Sequence, residues 1–422
     1  MKTTRSICLF LLMLTGTLPG ARGETFRTDI NPALLYYQAF LVAPELAAAD
    51  YDYLYKEAAH GQKLPERFGT LITNYDNQFK LVREAAQQKV PCDWGVDMSK
   101  GPATLLAHLA RAKAVVQGAR FRAMWDLQHD RQADARDDLL AAVALARNVS
   151  RDGTRISLMV QIASEAIVCS TVVENFGRFS PETLKQLVDG FDAGPPRGTV
   201  VACIPMEKAN LEYWLLGKTL ELQKANPGDD AKVMAAIHEH LASMFGLRAT
   251  MESGTSEGTD WWKQLTQAAG GTSEGVVKQI RDLESFEPKL ALLLALPPRE
   301  YESQVEQFKA ELRQSPNPLP YLLFPTAEQP RKREIRILVS LAMVRAAMEY
   351  KLRGEPGLQS VTDPCGKGPF AFRRFVFQGV DRGFELKSAY AGLGFPCALI
   401  FVEKAGPPFY IDGPHIGQAV KP

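Results

Sequence analysis

Apolar residues recur at intervals of three and four along most of this chain, from residue 31 to about residue 312. That spacing places them on one face of an α-helix, because a helix turns once every 3.6 residues. One such stripe consists of Leu139, Ala142, Val143 and Ala146. The pattern predicts a long succession of amphipathic helices that pack through their apolar faces, and therefore a mainly α fold.

Prolines, capping residues and glycines divide this region into separate helices. The predicted helices cover residues 32–40, 44–59, 65–88, 103–127, 134–149, 154–176, 181–190, 200–225 and 230–245. Ser180 before Pro181 predicts an N-cap with proline in the first turn, and Gly190 predicts the end of that helix. Short helices are expected after each copy of the pentapeptide Gly-Thr-Ser-Glu-Gly, with Thr259 and Ser273 as caps.

The last hundred residues follow a different pattern. A long helix is predicted at 331–353, and alternating apolar residues predict strands at 370–377, 383–390 and 397–403. Consecutive strands joined by short turns form an antiparallel β-meander. The fold class is therefore a helical-hairpin, solenoid-like array that ends in a small α+β segment.

Changes in composition suggest where the chain divides. The stretch 315–330 is rich in proline and is predicted to be a linker. The predicted segments are 1–23, a signal peptide; 24–314, the helical domain; 315–330, the linker; 331–405, the helix with its small sheet; and 406–422, an irregular tail.

The first residues have the three parts of a secretory signal peptide. Lys2 and Arg5 precede an apolar run at 7–14, and small residues lead to Ala21 and Gly23. The run is shorter than the roughly 20 residues that a helix needs to cross a bilayer. We therefore expect a secreted or periplasmic protein, with no transmembrane anchor after the signal peptide is cleaved.

Composition and charge narrow the classes of function. Hydrophobic residues make up 46% of the chain, which supports a substantial core and argues against wholesale disorder. The formal net charge of +1 provides no overall field to attract nucleic acid or an anionic membrane. No nucleic-acid partner is predicted, whereas a protein or peptide partner is compatible with a helical array.

Five cysteines follow the predicted signal peptide: Cys92, Cys169, Cys203, Cys365 and Cys397. Disulfides persist outside the cytoplasm, and Cys365–Cys397 is the preferred pair because both residues fall in the compact C-terminal segment. The alternative is buried free thiols, which pack as small hydrophobic side chains. No two cysteines have the Cys-x-x-Cys spacing of a redox motif or a zinc site.

Glu165 is the acidic residue in the most suggestive position. It lies in an otherwise apolar predicted helix, where Ser157, Gln161 and Glu165 follow one another at intervals of four. A carboxyl group removed from water has a raised pKa and can act as a general acid or base. In the more common alternative, such a carboxylate pairs with an arginine or lysine from a neighbouring helix or faces a water-filled groove.

Two segments with tryptophan are candidate binding sites. Asp93 and Trp94 could form the rim of a ligand site, and one ring of Trp261 and Trp262 could be exposed to a sugar, a peptide or a protein. In the structural alternative, Trp94 plugs the end of a helical layer while Asp93 caps the backbone. One of the adjacent tryptophans would then lie in the core.

Other motifs lack the spacing that their chemistry requires. His238 and His240 are two residues apart, so on a helix they project in different directions, whereas helical zinc ligands are four apart. The twin Gly-Thr-Ser-Glu-Gly segments lack the lysine of a phosphate-binding loop, and no Gly-x-Ser-x-Gly elbow is present. Neither a metal nor another cofactor is predicted.

Residues 119–150 resemble one tetratricopeptide-type hairpin. The matching positions are Trp125 in the first helix and Ala135, Leu139 and Ala142 in the second. This resemblance implies a helix pair that stacks on its neighbours.

The C-terminal end resembles that of pilin-like proteins of type II secretion. In those proteins a long helix leads through an Asp-Pro-x-Gly turn to a small antiparallel sheet, and the turn here begins at Asp363. The chain as a whole is similar to secreted helical proteins of bacteria, through its Asp93-Trp94-Gly95 loop and the alanine-rich helix that follows. These resemblances imply a local shape and an extracytoplasmic setting.

Three functions follow as hypotheses. The preferred one is a binding or scaffold protein whose helical array presents a groove to a ligand or a protein partner, because the sequence contains no recognisable catalytic constellation. The second is a secreted hydrolase that uses carboxylates carried on helices, with Glu165 as its acid or base. The third is a component of envelope assembly, suggested by the pilin-like ending.

Overall fold

The computed structural model describes residues 29–54, 63–249 and 261–404. The predicted signal peptide, the predicted tail, the first Gly-Thr-Ser-Glu-Gly copy and Thr259 lie outside the described residues. So do residues 55–62, in the second half of the helix predicted at 44–59.

The described chain is mainly helical with one small sheet near its C-terminal end, so the predicted fold class is confirmed. In chain order the helices are α1 (Pro32–Leu41), α2 (Ala48–Asp52), α3 (Gly69–Asn74), α4 (Asp76–Ala86), α5 (His108–Gln128), α6 (Gln132–Val149), α7 (Arg155–Glu174), α8 (Pro181–Ala193), α9 (Val200–Glu207), α10 (Trp214–Ala225), α11 (Asp230–Ala249), α12 (Trp261–Ala268), α13 (Ser273–Arg281), α14 (Glu287–Ala295), α15 (Pro298–Arg313), α16 (Leu319–Leu323), α17 (Pro325–Arg353) and α18 (Glu355–Gln359). The strands are β1 (Ala371–Phe377), β2 (Val380–Lys387) and β3 (Ala398–Val402).

The central helices form where the hydrophobic pattern predicts them. α6 and α7 begin and end within two residues of the predicted bounds 134–149 and 154–176. Thr154 caps α7 through its side-chain oxygen, which accepts a backbone N–H of the first turn. Both helices pack against α5, and Leu139 and Leu158 are completely buried between them.

The glycine in α8 serves packing rather than termination. Ser180 caps this helix as predicted, since its hydroxyl oxygen accepts the Thr183 N–H at 3.1 Å. The prediction that the helix ends at Gly190 is wrong, because α8 continues to Ala193. A Cβ atom at position 190 would lie 2.5 Å from the Leu140 side chain, so the missing side chain lets α6 and α8 approach closely.

Residues 315–330, which are predicted to be a linker, are largely helical. They contain α16 and the start of α17, which begins at Pro325, six residues before the predicted helix. Phe324 and Ala327 belong to the main hydrophobic core, which includes residues from α1 to β3. The apolar residues between the prolines therefore hold this stretch inside a core that continues into the C-terminal segment.

A second hydrophobic core lies among α10 to α13. Its buried members are Leu215, Val233, Met234, Ile237, Leu241, Leu265, Ala269, Val276, Ile280, Leu283 and Leu319. Thr272 caps α13 instead of the predicted Ser273, because the Gly275 N–H donates to Thr272 Oγ1 at 3.1 Å. The Ser273 N–H donates to Asp230 at 3.2 Å and so joins α13 to the start of α11.

One helix in the described part of the chain, α7, is long and apolar enough to cross a membrane, with a mean hydropathy of 1.8. It lies at the centre of the main core and contacts α5, α6, α17 and β3. Contacts with these elements account for its apolar composition without a bilayer.

The C-terminal sheet has the strand order β1-β2-β3, and both pairs are antiparallel. Gln378 and Gly379 have φ angles of 51° and 75° and form the two-residue hairpin, so β2 begins three residues earlier than predicted. The ring of Phe384 in β2 lies 5.1 Å from that of Phe401 in β3 and meets Phe176 edge-on. These aromatic contacts attach the sheet to the end of α7.

The turn before the sheet is organised by Asp363. Its carbonyl accepts the Gly366 N–H at 3.0 Å, and its buried carboxylate accepts hydrogen bonds from Ser388 Oγ and the Ala389 N–H, each at 2.7 Å. The long helix, the turn and the small sheet therefore follow one another in the predicted order.

The predicted disulfide between Cys365 and Cys397 is not formed, and both residues are free thiols. Cys365 lies in the turn, whereas the Cys397 thiol forms a hydrogen bond with Ser340 of α17. Burial raises the pKa of Cys365 to about 12 and that of Cys397 to about 11, so both stay protonated near neutral pH. The structure therefore agrees with the alternative prediction, in which both cysteines are free thiols.

Candidate functional site

A narrow cleft lies between α9, the turn that follows it, α14 and the junction of α16 with α17. Arg155, the first residue of α7, also lines the cleft. The cavity volume is about 90 Å³, within about 640 Å³ of space that includes open solvent, so a small molecule bound here would lie partly in the open mouth.

The backbone of one wall is distorted beside the charged residues. One helix is predicted over 200–225, but the structure divides it into α9, a π-helical turn (Lys208–Tyr213) and α10. Pro205 in α9 has no N–H to donate, which weakens the hydrogen bonding of the helix just before this turn. π-Helical turns are frequent at functional sites, and this one places Lys208 and Glu212 on the wall of the cleft.

The floor of the cleft is apolar and draws on both hydrophobic cores. Leu294 and Phe324 belong to the main core, whereas Leu283 and Leu323 belong to or pack against the second core. The cleft is therefore placed where the two cores meet.

Acidic side chains surround one lysine at the mouth of the cleft. Lys208 Nζ lies 3.0 Å from Glu287 Oε2, 3.4 Å from Glu284 Oε1 and 3.9 Å from Glu212 Oε2. The hydrogen bond with Glu287 raises the pKa of Lys208, so the lysine keeps its charge. Of the three carboxyl groups, Glu212 and Glu287 line the cleft, and with both ionised the single ammonium group leaves this wall with a net negative charge.

Glu212 and Glu287 are joined by a carboxyl–carboxyl hydrogen bond. Glu212 is 4% exposed, and its burial, followed by the hydrogen bond and the charge of Glu287, raises the pKa of Glu212 to about 7. The pair therefore gains or loses a proton near neutral pH. Groups that titrate in this range can exchange a proton with a ligand or a substrate.

The other charged pair in the cleft is neutral. Arg155 forms a salt bridge with Glu207 and also donates a hydrogen bond to Thr326, which ties α7 to α9 and α17. Burial raises the pKa of the nearby Cys203 to about 12, so its thiol stays protonated and is a poor nucleophile near neutral pH. These residues stabilise the wall and add no net charge to it.

Glu165 does not lie in this cleft. Its carboxylate is buried between two arginines: Arg147 Nε donates to Oε1 at 3.1 Å, and Arg197 donates to both oxygens at 2.7–3.0 Å. Arg147 also donates to the carbonyl oxygens of Phe191 at 2.5 Å and Pro195 at 3.1 Å. This arrangement is the predicted alternative, an ion pair between helices, and it gives no support to an acid–base role for Glu165.

Trp94 follows the structural alternative as well. Its side chain is 5% exposed, its Nε1 donates to the Asn148 carbonyl at 2.8 Å, and its ring stacks on His108 with 4.5 Å between centroids. Asp93 caps the loop, because its Oδ1 accepts the Gly95 N–H at 2.9 Å. The indole is covered by protein, so Trp94 offers no face to a ligand.

The prediction that one of the adjacent Trp261 and Trp262 lies in the core is wrong, whereas the prediction of a ring that is at least partly exposed is confirmed for both. Both are half-buried, and their rings lie 5.9 Å and 4.9 Å from that of His238, whereas His240 faces Trp214. They pack on the second core and do not line the cleft. Among the residues that the structure describes, no group of three His, Cys, Asp or Glu side chains could hold a metal ion.

A second and larger groove lies between the α3–α4 and α5–α6 pairs. Charged residues of this groove pair with one another and with the buried Asp138: Arg122 donates to Asp76 at 2.6 Å and to Asp138 at 2.7 Å, and Asp138 also accepts from Arg83 at 2.8 Å. This network joins α4, α5 and α6. It leaves the first cleft as the stronger candidate site.

No protein-family model, curated protein or solved structure matches this chain. The tetratricopeptide-like and pilin-like resemblances therefore stay predictions. What the cleft can do has to be derived from its own geometry and charges.

The residues that charge the cleft do not form a recognisable motif in the sequence. Two local signals were present: Pro205 inside a predicted helix, and the spacing of four residues between Lys208 and Glu212. Glu287 reaches the same mouth from α14, far along the chain, and no local pattern connects it with Glu212.

Proposed function

We propose that this protein is a binding protein that holds a small apolar molecule in the cleft. The observation that carries this proposal is the apolar floor, where the half-buried side chains of Ile204, Phe286 and Leu290 line a concave space open to solvent. Covering such a surface is favourable by about 25 cal/mol for each Å² of apolar area removed from water. Concave, mostly apolar sites with a few converging polar groups are typical of small-molecule binding.

We also propose that the protein acts outside the cytoplasm, as the basic and apolar residues of 1–23 suggest. Cell fractionation of the full chain is expected to recover it outside the cytoplasm without residues 1–23. Recovery in the cytosol with these residues intact would contradict the assignment.

Filling the cleft is expected to remove binding. Leu290→Trp places a larger side chain on the floor, and we expect it to weaken the binding of dodecanol, an uncharged alkyl probe, at least about tenfold. Isothermal titration calorimetry of the full chain measures this affinity. Leu292→Trp on the same helix is the control, because residue 292 is 72% exposed and does not line the cleft.

Saturable binding to the wild type and to Leu292→Trp, with loss in Leu290→Trp, supports the proposal. Equal affinity of the two variants would place the probe elsewhere. The absence of saturable binding by any alkyl probe would count against the function itself.

A secreted hydrolase is the second candidate, with the Glu212–Glu287 pair in place of Glu165. Two carboxyl groups that share a proton can activate water and protonate a leaving group. Turnover of p-nitrophenyl octanoate, an ester with an apolar chain, should then fall at least about a hundredfold in Glu212→Gln. No turnover above the buffer rate in the wild type would eliminate this candidate for apolar esters.

A further inference from the structure

We infer that the ligand of this cleft is an apolar amine, whose ammonium group binds at Glu212 and Glu287 while its apolar part covers the floor. This inference rests on the proposed binding function and adds the chemical class of the ligand. Three features of the described cleft carry it: its charge balance, the position of Glu212, and the continuity of the carboxyl pair with the apolar floor.

The charge balance favours a cation. Arg155 and Glu207 neutralise each other. The charged groups that remain in the lining of the cleft are Lys208, Glu212 and Glu287, while the exposed Glu284 lies 3.4 Å from Lys208 Nζ without lining the cleft. With Glu212 ionised, this lining carries one more carboxylate than ammonium group, so an anionic ligand would add repulsion whereas a cationic ligand would reduce it.

Glu212 is the carboxyl group best placed to receive the cation. Its side chain is 6% exposed, compared with 22% for Glu287 and 63% for Glu284. Lys208 Nζ lies beyond hydrogen-bond distance from Glu212, and the hydrogen bond of Glu212 is to another carboxyl group. Such a contact needs a proton between the two groups, and an ammonium group supplies donors that can replace that proton.

The positions of Glu212 and Glu287 also determine how the ligand is oriented in the cleft. Glu212 and Glu287 line the same cleft as Leu283, Phe286 and Leu290. A ligand that places its ammonium group at the carboxyl pair therefore has apolar side chains directly beside its chain. This arrangement fits an amphipathic amine. An inorganic cation has no apolar part that could contact the floor.

The affinity for an amine is expected to depend on pH with a definite sign. Glu212 is protonated below about pH 7 and charged above it, so amine binding should strengthen as the pH rises from 6 to 8. The groups that face it are Lys208 and Tyr213 of its own turn, Glu284 and Glu287 next to or on α14, and the Arg155–Glu207 pair across the cleft. An alkylammonium group, with a pKa near the value of about 10.4 for lysine, keeps its charge throughout this range.

The test compares three ligands with the same twelve-carbon chain: dodecylamine, dodecanol and dodecanoate. Each is titrated into the full chain below its micelle concentration at pH 6 and pH 8. At pH 8, we expect dodecylamine to bind about tenfold more tightly than dodecanol, and dodecanoate to bind most weakly. The preference for the amine should shrink several-fold at pH 6.

Variants locate the effect. Glu212→Gln is expected to reduce the affinity for dodecylamine about tenfold and to remove its dependence on pH. Glu221→Gln is the matched control on α10, where the exposed glutamate pairs with Lys218 away from the cleft, and it should keep both the affinity and its dependence on pH. Circular dichroism of both variants checks that they are folded.

The outcomes separate this inference from the function on which it rests. Equal binding of dodecylamine and dodecanol, or tighter binding of dodecanoate, overturns the assignment of an amine and leaves a binding protein for apolar molecules. If none of the three ligands binds the wild type, the proposed function fails and the inference fails with it.

Discussion

Glu165→Ala is expected to lower the free energy of unfolding by about 3–5 kcal/mol, a large part of the stability of a typical domain. The substitution removes the shared partner of Arg147 and Arg197 and leaves both guanidinium groups buried without it. Because these arginines join α6, α7 and the loop after α8, the loss should be felt across the main core. Urea unfolding followed by circular dichroism measures the change.

The control is an exposed ion pair. Asp189→Ala breaks a pair with Lys185 that is four residues away on α8, and such pairs contribute about 0.3–0.5 kcal/mol. If Glu165→Ala unfolded at the same urea concentration as the wild type, the pairing described here would not be what holds these helices together.

Trp94→Ala is expected to cost about 3–5 kcal/mol of stability and to leave ligand binding in the cleft unchanged. The indole fills the space between α1 and the start of α5, where it stacks on His108 and Tyr36, and the alanine variant would leave a cavity there. Thermal unfolding gives the change in stability, and titration with the alkyl probes gives the affinity.

Trp94→Phe separates packing from hydrogen bonding. The phenyl ring keeps much of the stacking but cannot donate to the Asn148 carbonyl, so a smaller loss of about 1–2 kcal/mol is expected. A variant that keeps full stability but loses a ligand would restore Trp94 as a binding residue and contradict its structural role.

Local patterns predict the parts of this fold that depend on neighbours in sequence. The helical stripe of Leu139 and the cap at Ser180 each involve residues within a single helix, and the structure has both. The prediction that a helix ends at Gly190 is wrong because a glycine in the sequence does not show whether a turn or a close neighbour requires it. Here the close neighbour is Leu140 of another helix. The linker at 315–330 was misread for a similar reason, since its burial depends on distant elements.

The candidate site was predictable only in its chemical type. The sequence predicts carboxylates on helices as candidate acid–base groups. It favours Glu165 because this residue is an isolated acid in an apolar helix. A charged carboxylate buried in an apolar helix needs opposite charges nearby, and in the fold Arg147 and Arg197 provide them. The pair at the cleft depends on a distorted turn after Pro205 and on Glu287 of a distant helix, and neither contact follows from local spacing.

The shared floor of the cleft has a consequence for how this protein melts. Leu294 is anchored in one apolar cluster and Leu283 in the other, with the cleft between them. A molecule seated there touches both sides and, by mass action, stabilises the state in which they remain in register. Occupancy should therefore raise the melting temperature of both cores together.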